Sequence, residues 1–348
     1  MKKNPYNIIF GKEPPEVVSR VAQKMEILQA FGDEPPAQQM FMVSGVRGSG
    51  KTVFMTEVAG ELARDPDWVV VELNSSGDIM KDLCEHLGSE NSFAKIFKDA
   101  SINLSLFGIG LEVKGSVPIS NIQVALSRML ESLKKHNKKV LVCIDEVVVT
   151  DSMKVFAGAF QIFVRQDLPI YLIMTGLYEN INNLQNEKNL TFLYRAPKIN
   201  LKPLNLKMIA DSYQRNFDLD YKESEQMAII TKGYSFAFQV LGYFTWMNKG
   251  DYTKALSDVR LYLDDYVYDK VWSELSSKDK KFLNAVVLSE DGKAKNVKSE
   301  GGFSDGEYSV YRDRLIKRGI INGDEHGLVC LTLPMFDEYI KSHYFSDI

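Results

Sequence analysis

The chain has 348 residues, a formal net charge of −4 and a composition of 45% apolar and 25% charged residues. That length holds two or three domains with proper cores, and a pI near 5.7 excludes gripping nucleic acid by bulk positive charge. Cys84, Cys143 and Cys330 are few, odd in number and widely spaced. They read as buried thiols of a reducing compartment rather than a disulfide framework or metal site. No stretch reaches the roughly 18 apolar residues of a membrane span, and the N-terminal lysines are not followed by a signal-peptide core, so a cytoplasmic protein away from membranes is expected.

In chain order, residues 1–38 form an arm, with Val17 to Phe31 expected as a helix on the spacing Val17, Val21, Met25, Leu28. Ile8 to Gly11 is either a lining for a nucleotide base or a packing arm. The apolar run Met40-Phe41-Met42-Val43 then reads as a buried parallel strand. It opens into Gly45-Val46-Arg47-Gly48-Ser49-Gly50-Lys51-Thr52, which fits G-x-x-x-x-G-K-[ST].

The spacing has a physical reason. Glycines let successive N–H groups turn toward one centre, and the following helix aims its positive end at the same point. Lys51 then reaches the outer phosphates and Thr52 ligates Mg²⁺, while the loop backbone through Val53 wraps the phosphates. Phe54, Val58 and Leu62 give the next segment its helical face. Arg47 is expected to face solvent.

Trp68 to Leu73 is a second strand and Ile79 to Leu87 a helix, setting a βαβ rhythm. Between 101 and 115, Ile102, Leu104 and Leu106 alternate with polar residues before Gly108 and Gly110, predicting an inserted β-hairpin. A helix over Ile119 to Asn137 leads to Val140-Leu141-Val142-Cys143-Ile144-Asp145-Glu146, a buried strand ending in two carboxylates. Hydrolysis needs one acid to hold magnesium, the role of Asp145, and another to activate water, the role of Glu146. The two motifs lie about ninety residues apart, and their pairing is more specific than either alone. After a helix over Val149 to Gln166, a further strand ends in Thr175-Gly176. Thr175 is placed to hydrogen-bond the γ-phosphate or the attacking water, or else simply caps the strand.

The pattern resembles the AAA+ ATPases, and within them the archaeal-type and STAND branch related to origin-recognition initiators. The resemblance implies a P-loop α/β domain with a parallel sheet and helices on both faces, followed by a helical lid and a C-terminal winged helix. It implies ATP and Mg²⁺, with Lys51 and Thr52 as the phosphate-loop pair, Asp145 and Glu146 as the second motif and Thr175 as the first sensor. Arg195, after the sensor strand, resembles the arginine finger of that family, against the alternative of a surface ion pair; Arg165 closes the helix before it. Where origin-recognition relatives carry a second-sensor arginine, Gly233-Tyr234-Ser235-Phe236-Ala237-Phe238-Gln239 has none. It is similar to the Gly-x-Pro segment of STAND proteins with Ser235 in place of proline.

The domains expected are the arm (1–38), the ATPase core (39–204), a helical lid (205–270) and a winged helix (271–348). Ser276 and Ser304 open capping boxes there. The helix from Asp305 carries Tyr308, Tyr311, Arg312 and Arg314, and Asn322-Gly323 turns a two-stranded wing. Residues 271–348 hold 11 Lys+Arg against 13 Asp+Glu, a poor footprint for phosphate contact. The partner is therefore duplex DNA or a protein. The function expected is a nucleotide-driven switch or oligomerising ATPase; the alternative is a nucleotide-gated DNA-binding regulator with slow hydrolysis.

Overall fold

A computed structural model describes residues 3–9, 14–109, 116–325 and 327–344. The chain divides into two compact units, one of Val21–Ser44 with Lys51–Asn200, the other of Met1–Arg20, Gly45–Gly50 and Leu201–Ile348.

The first unit runs α1 (Val21–Gly32), β1 (Met40–Ser44), α2 (Lys51–Leu62), β2 (Trp68–Asn74), α3 (Ile79–Ser89), α4 (Asn91–Asp99), α5 (Ile122–Lys134), β3 (Lys139–Asp145), α6 (Asp151–Arg165), β4 (Ile170–Gly176), α7 (Tyr178–Gln185) and β5 (Lys198–Asn200). All five strands are parallel, in the order β2-β3-β4-β1-β5. The central strands β1 and β4 are buried along their whole length, as near-continuous apolar runs require when helices cover both faces of a sheet. Polar side chains set where helices begin: Asp78, Asn121 and Thr150 accept from the backbone N–H three residues on, opening α3, α5 and α6. Phe156, Phe160 and Phe163 of α6 and Leu126, Met129 and Leu130 of α5 fill one core against β3 and β4. Each fully buried side chain of this kind contributes about 2–3 kcal/mol relative to exposure.

Several details differ from the sequence reading. Helix α1 begins at Val21 and buries Ile27 and Phe31, leaving Val21 and Met25 exposed. The Phe31 ring decides this, packing 5.0 Å from Tyr171 and 5.5 Å from Phe41 between centroids. Helix α4, with Phe93 and Phe97 in the core, has no counterpart in the expectation. Residues 101–109 carry no strand. Asn103 Oδ1 accepts from Ser105 N at 3.1 Å, a 3₁₀ turn follows at Ser105–Phe107, and Gly108 takes φ 74°. Ile102 and Leu104 are buried because this loop tucks under the core, which accounts for their alternation without a hairpin. Residues 110–115, the expected second half of that hairpin, lie outside the described residues.

The second unit holds α8 (Leu206–Phe217), α9 (Tyr221–Ile230), α10 (Ser235–Met247), α11 (Tyr252–Leu263), a π turn (Asp264–Tyr268) and α12 (Asp269–Ser273). Then come α13 (Ser277–Leu288), α14 (Ala294–Gly301), α15 (Asp305–Lys317), an antiparallel ribbon of β6 (Ile321–Asn322) and β7 (Cys330–Leu331), and α16 (Phe336–His343). Both predicted capping boxes are present, Ser276 with Asp279 and Ser304 with Glu307. One hydrophobic core runs through all of these elements. Arg260 pairs with Glu338, Tyr339 Oη donates to Asp269 Oδ1 at 2.6 Å, and Lys232 Nζ donates to the Leu331 carbonyl at 3.1 Å. Among the described residues the core is continuous across the expected lid boundary near 270.

The arm expected at 1–38 is divided: its first part packs in the second unit and α1 in the first. Tyr6 is buried there, its ring filling the space beside Gly242, where a Cβ would lie 2.4 Å from a ring carbon. Asn7 N donates to Gln239 Oε1 at 3.0 Å, and Gln239 Nε2 to the Glu16 carbonyl at 2.7 Å. Phe10 and Gly11, half of the possible base lining, lie outside the described residues. Cys84 and Cys143 are buried, and burial pushes both thiols up to about 12. Cys330, expected buried, is exposed, because in the two-residue strand β7 only Leu331 turns to the core. Among the described residues, no helix is long and apolar enough to cross a membrane.

Candidate functional site

Parallel strands bring their carboxyl ends to one edge of a sheet, where open α/β folds bind ligands. The register aligns Asn74 with Asp145, Val43 with Thr175 and Ser44 with Gly176. Strand β4 lies between β1 and β3, so Thr175 stands between the strand leading to the glycine loop and the acidic strand.

Side chains at this edge form a short network. Thr52 Oγ1, on the first turn of α2, donates to Asp145 Oδ2 at 2.6 Å. Thr175 is fully buried, and its hydroxyl donates to Asp145 Oδ1. The proton of Thr175 is thus directed at the carboxylate rather than outward to a phosphate or water. Glu146 N donates to Asp145 Oδ1 at 3.0 Å and approaches Thr175 Oγ1 at 3.4 Å. Glu146 has φ 49°, a left-handed conformation uncommon for a residue with a Cβ. Its carbonyl accepts from Ser75 Oγ at 3.3 Å, and Val147 N donates to the Thr175 carbonyl at 2.8 Å. The surrounding bonds over-determine this strained backbone and leave the Glu146 side chain exposed. Ser75, just past the end of β2, reaches the Glu146 carbonyl and was missed by the sequence reading; a polar residue closing an apolar strand was its signal.

Lys51 is buried at the head of α2. The loop Gly45–Gly50 joins β1 to it along the chain. Within the loop, Ser49 N donates to the Val46 carbonyl at 3.1 Å, and Gly48 and Gly50 take φ 74° and 86°. Arg47 does not stand free in solvent: its guanidinium pairs with Glu274 at 3.1 Å. One feature of the loop suits a phosphate chain. Among the described residues the buried Ser49 hydroxyl has no hydrogen-bond partner, a costly state that an anionic oxygen would relieve. At Gly48 a Cβ would lie 2.0 Å from Tyr234 Oη. Gly48→Ala meets that clash and the left-handed penalty of about 1–2 kcal/mol. If the loop holds a nucleotide's phosphates, this variant is expected to bind it roughly tenfold or more weakly, measured by fluorescent-nucleotide titration beside a melting curve.

Arg195 ends a 3₁₀ turn at Thr191–Arg195 and is exposed, as is Arg165 in the last turn of α6. Among the described residues neither is drawn into the network around Asp145.

The chain is similar to a Walker-type ATPase of Pyrococcus abyssi, at 15% identity and a TM-score of 0.66, over 93% of this chain and 96% of that one. It is also similar to the ORC2 protein of Aeropyrum pernix, solved as ADPNP–ADP complexes, at 12% identity and a TM-score of 0.61, over 97% of each chain. The chain shares the fold of these two structures, a parallel five-stranded sheet flanked by helices with a helical C-terminal region. In sequence, residues 265–340 match a family described as a domain of unknown function, DUF8462. No curated protein matches the chain. At these identities the AAA+ likeness is one of fold; the chemistry of this chain rests on its own residues.

Proposed function

We propose that this AAA+ chain binds ATP with Mg²⁺ and hydrolyses it, acting as a nucleotide-driven switch or oligomerising ATPase. The observation that supports this most is the Thr52–Asp145–Thr175 network at the carboxyl edge of the sheet, on the helix that directly follows the glycine loop.

In this reading the loop N–H groups and Lys51 hold the phosphates. Thr52 and Asp145 are the metal ligands, and Thr175 orients Asp145 by its hydrogen bond. Magnesium held by Thr52 and Asp145 would supply positive charge against that of the phosphates. Glu146, exposed at the strand tip, takes the proton of the attacking water. Arg195 is free to serve a neighbouring subunit as an arginine finger. Thr52→Ala tests the metal assignment: ATP affinity is expected to lose its dependence on Mg²⁺, so that titrations in Mg²⁺ and in EDTA coincide. An undiminished Mg²⁺ effect would remove Thr52 from the metal site.

Helices α13 to α15, the β6–β7 ribbon and the bridge between Lys293 and Leu328 fit a winged helix. We read it as a protein-docking module rather than a DNA reader, because its cations are engaged internally. Arg314 binds Asp279, Lys278 lies 2.8 Å from Glu307, Lys298 2.6 Å from Asp305, and Arg312 Nη2 donates to the Gly323 carbonyl at 2.9 Å. Duplex DNA offered to the full chain at two salt concentrations decides between them; salt-sensitive binding would favour the DNA-regulator reading.

A further inference from the structure

Three successive carbonyls of the glycine loop are held by donors from outside it. Tyr234 Oη donates to the Arg47 carbonyl at 2.6 Å, and Phe236 N to the Gly48 carbonyl at 3.1 Å. Ser235 Oγ donates to the Ser49 carbonyl at 2.9 Å. Arg20 Nη2 reaches the same Ser49 carbonyl at 2.8 Å, with Ser235 Oγ at 3.1 Å and the Lys202 carbonyl at 3.2 Å.

The platform carrying these donors is rigid. Gly233 takes φ 73°, and a Cβ there would lie 2.6 Å from the Leu204 carbonyl oxygen, so the turn into α10 tolerates only glycine. Leu204 N donates to the Gly233 carbonyl at 2.7 Å, Gly233 N to Thr231 Oγ1 at 3.1 Å and Tyr234 N to the Thr231 carbonyl at 2.8 Å. Tyr234 is buried, which keeps its phenol a neutral donor.

In an anion-binding nest the N–H groups converge on the ligand and the carbonyls face away from it. Fixing the carbonyls therefore fixes the direction of the amides. We propose that Tyr234, Ser235 and Arg20 are positioning residues that pre-organise the glycine loop for a nucleotide's phosphates, in the place where a charged sensor would touch the nucleotide itself. The proposal rests on the nucleotide-binding reading above and extends it to how the loop is held. Because these groups act on the loop and not on a terminal phosphate, their loss weakens ATP and ADP by the same factor.

The test compares wild type with Tyr234→Phe, Arg20→Met and Arg20→Lys, by calorimetric titration with Mg-ATP and with ADP. Amide hydrogen exchange across residues 46–50 is followed in nucleotide-free protein. Tyr234→Phe keeps the ring in the core and removes one neutral hydrogen bond; about fivefold weaker binding of both nucleotides is expected. Loop amides should exchange faster while the melting temperature stays near that of wild type. Arg20→Met should cost more, and Arg20→Lys should regain part of the loss. Unchanged affinities with unchanged exchange would overturn the proposal, as would a loss confined to ATP, which would make this turn a γ-phosphate sensor. A wild type that binds neither nucleotide is a separate result, and it removes the functional reading along with the proposal.

Discussion

Glu146→Gln is expected to leave ATP binding intact and to lower turnover by about 10²–10⁴-fold, the usual worth of a general base. The side chain is exposed at the carboxyl end of β3, and its backbone is tethered on both sides: the N–H by Asp145 and Thr175, the carbonyl by Ser75. Glutamine preserves shape and hydrogen bonding but takes up no proton from water. The variant should therefore form a long-lived ATP complex, visible as near-wild-type affinity with phosphate release close to background. Wild-type phosphate release by this variant would move the base elsewhere. Backbone strain at φ 49° adds a second expectation, since the conformation belongs to the site and survives the substitution.

Lys51→Ala acts on binding instead. The lysine is buried at the head of α2, next in the chain after the loop. Each charge-assisted hydrogen bond that it would give to phosphate in the proposed role is worth about 1.5–3 kcal/mol, so losing two is expected to weaken ATP by about 10²–10⁴-fold. Melting should change little without nucleotide, and the rise in melting temperature expected for wild type with ATP should be absent. Retained affinity would mean that the loop does not hold phosphates through this residue.

Much of this site was legible in the sequence because its determinants are local. The glycine loop must be glycine-rich to take positive φ at Gly48 and Gly50, and a fully buried strand must read as an unbroken apolar run up to Asp145. The capping boxes at Ser276 and Ser304 were equally local, since each spans four residues. What stayed hidden depends on distant partners. Nothing near Arg20 indicates that it meets Ser49, or that Arg47 meets Glu274, 227 positions away. Ile102 and Leu104 misled for the opposite reason: alternate burial in a tucked loop carries the same period as a strand, and only tertiary packing separates the two. Tyr234 was legible as a departure from an arginine sensor, but its bond to the Arg47 carbonyl needed the fold.

The central claim is that the chain binds a nucleoside triphosphate, and titration of the full chain with Mg-ATP in a calorimeter addresses it most directly. Saturable heat with one nucleotide per chain, lost in Lys51→Ala, is the predicted result. Folded protein that gives no saturable heat with ATP, ADP or GTP would contradict it.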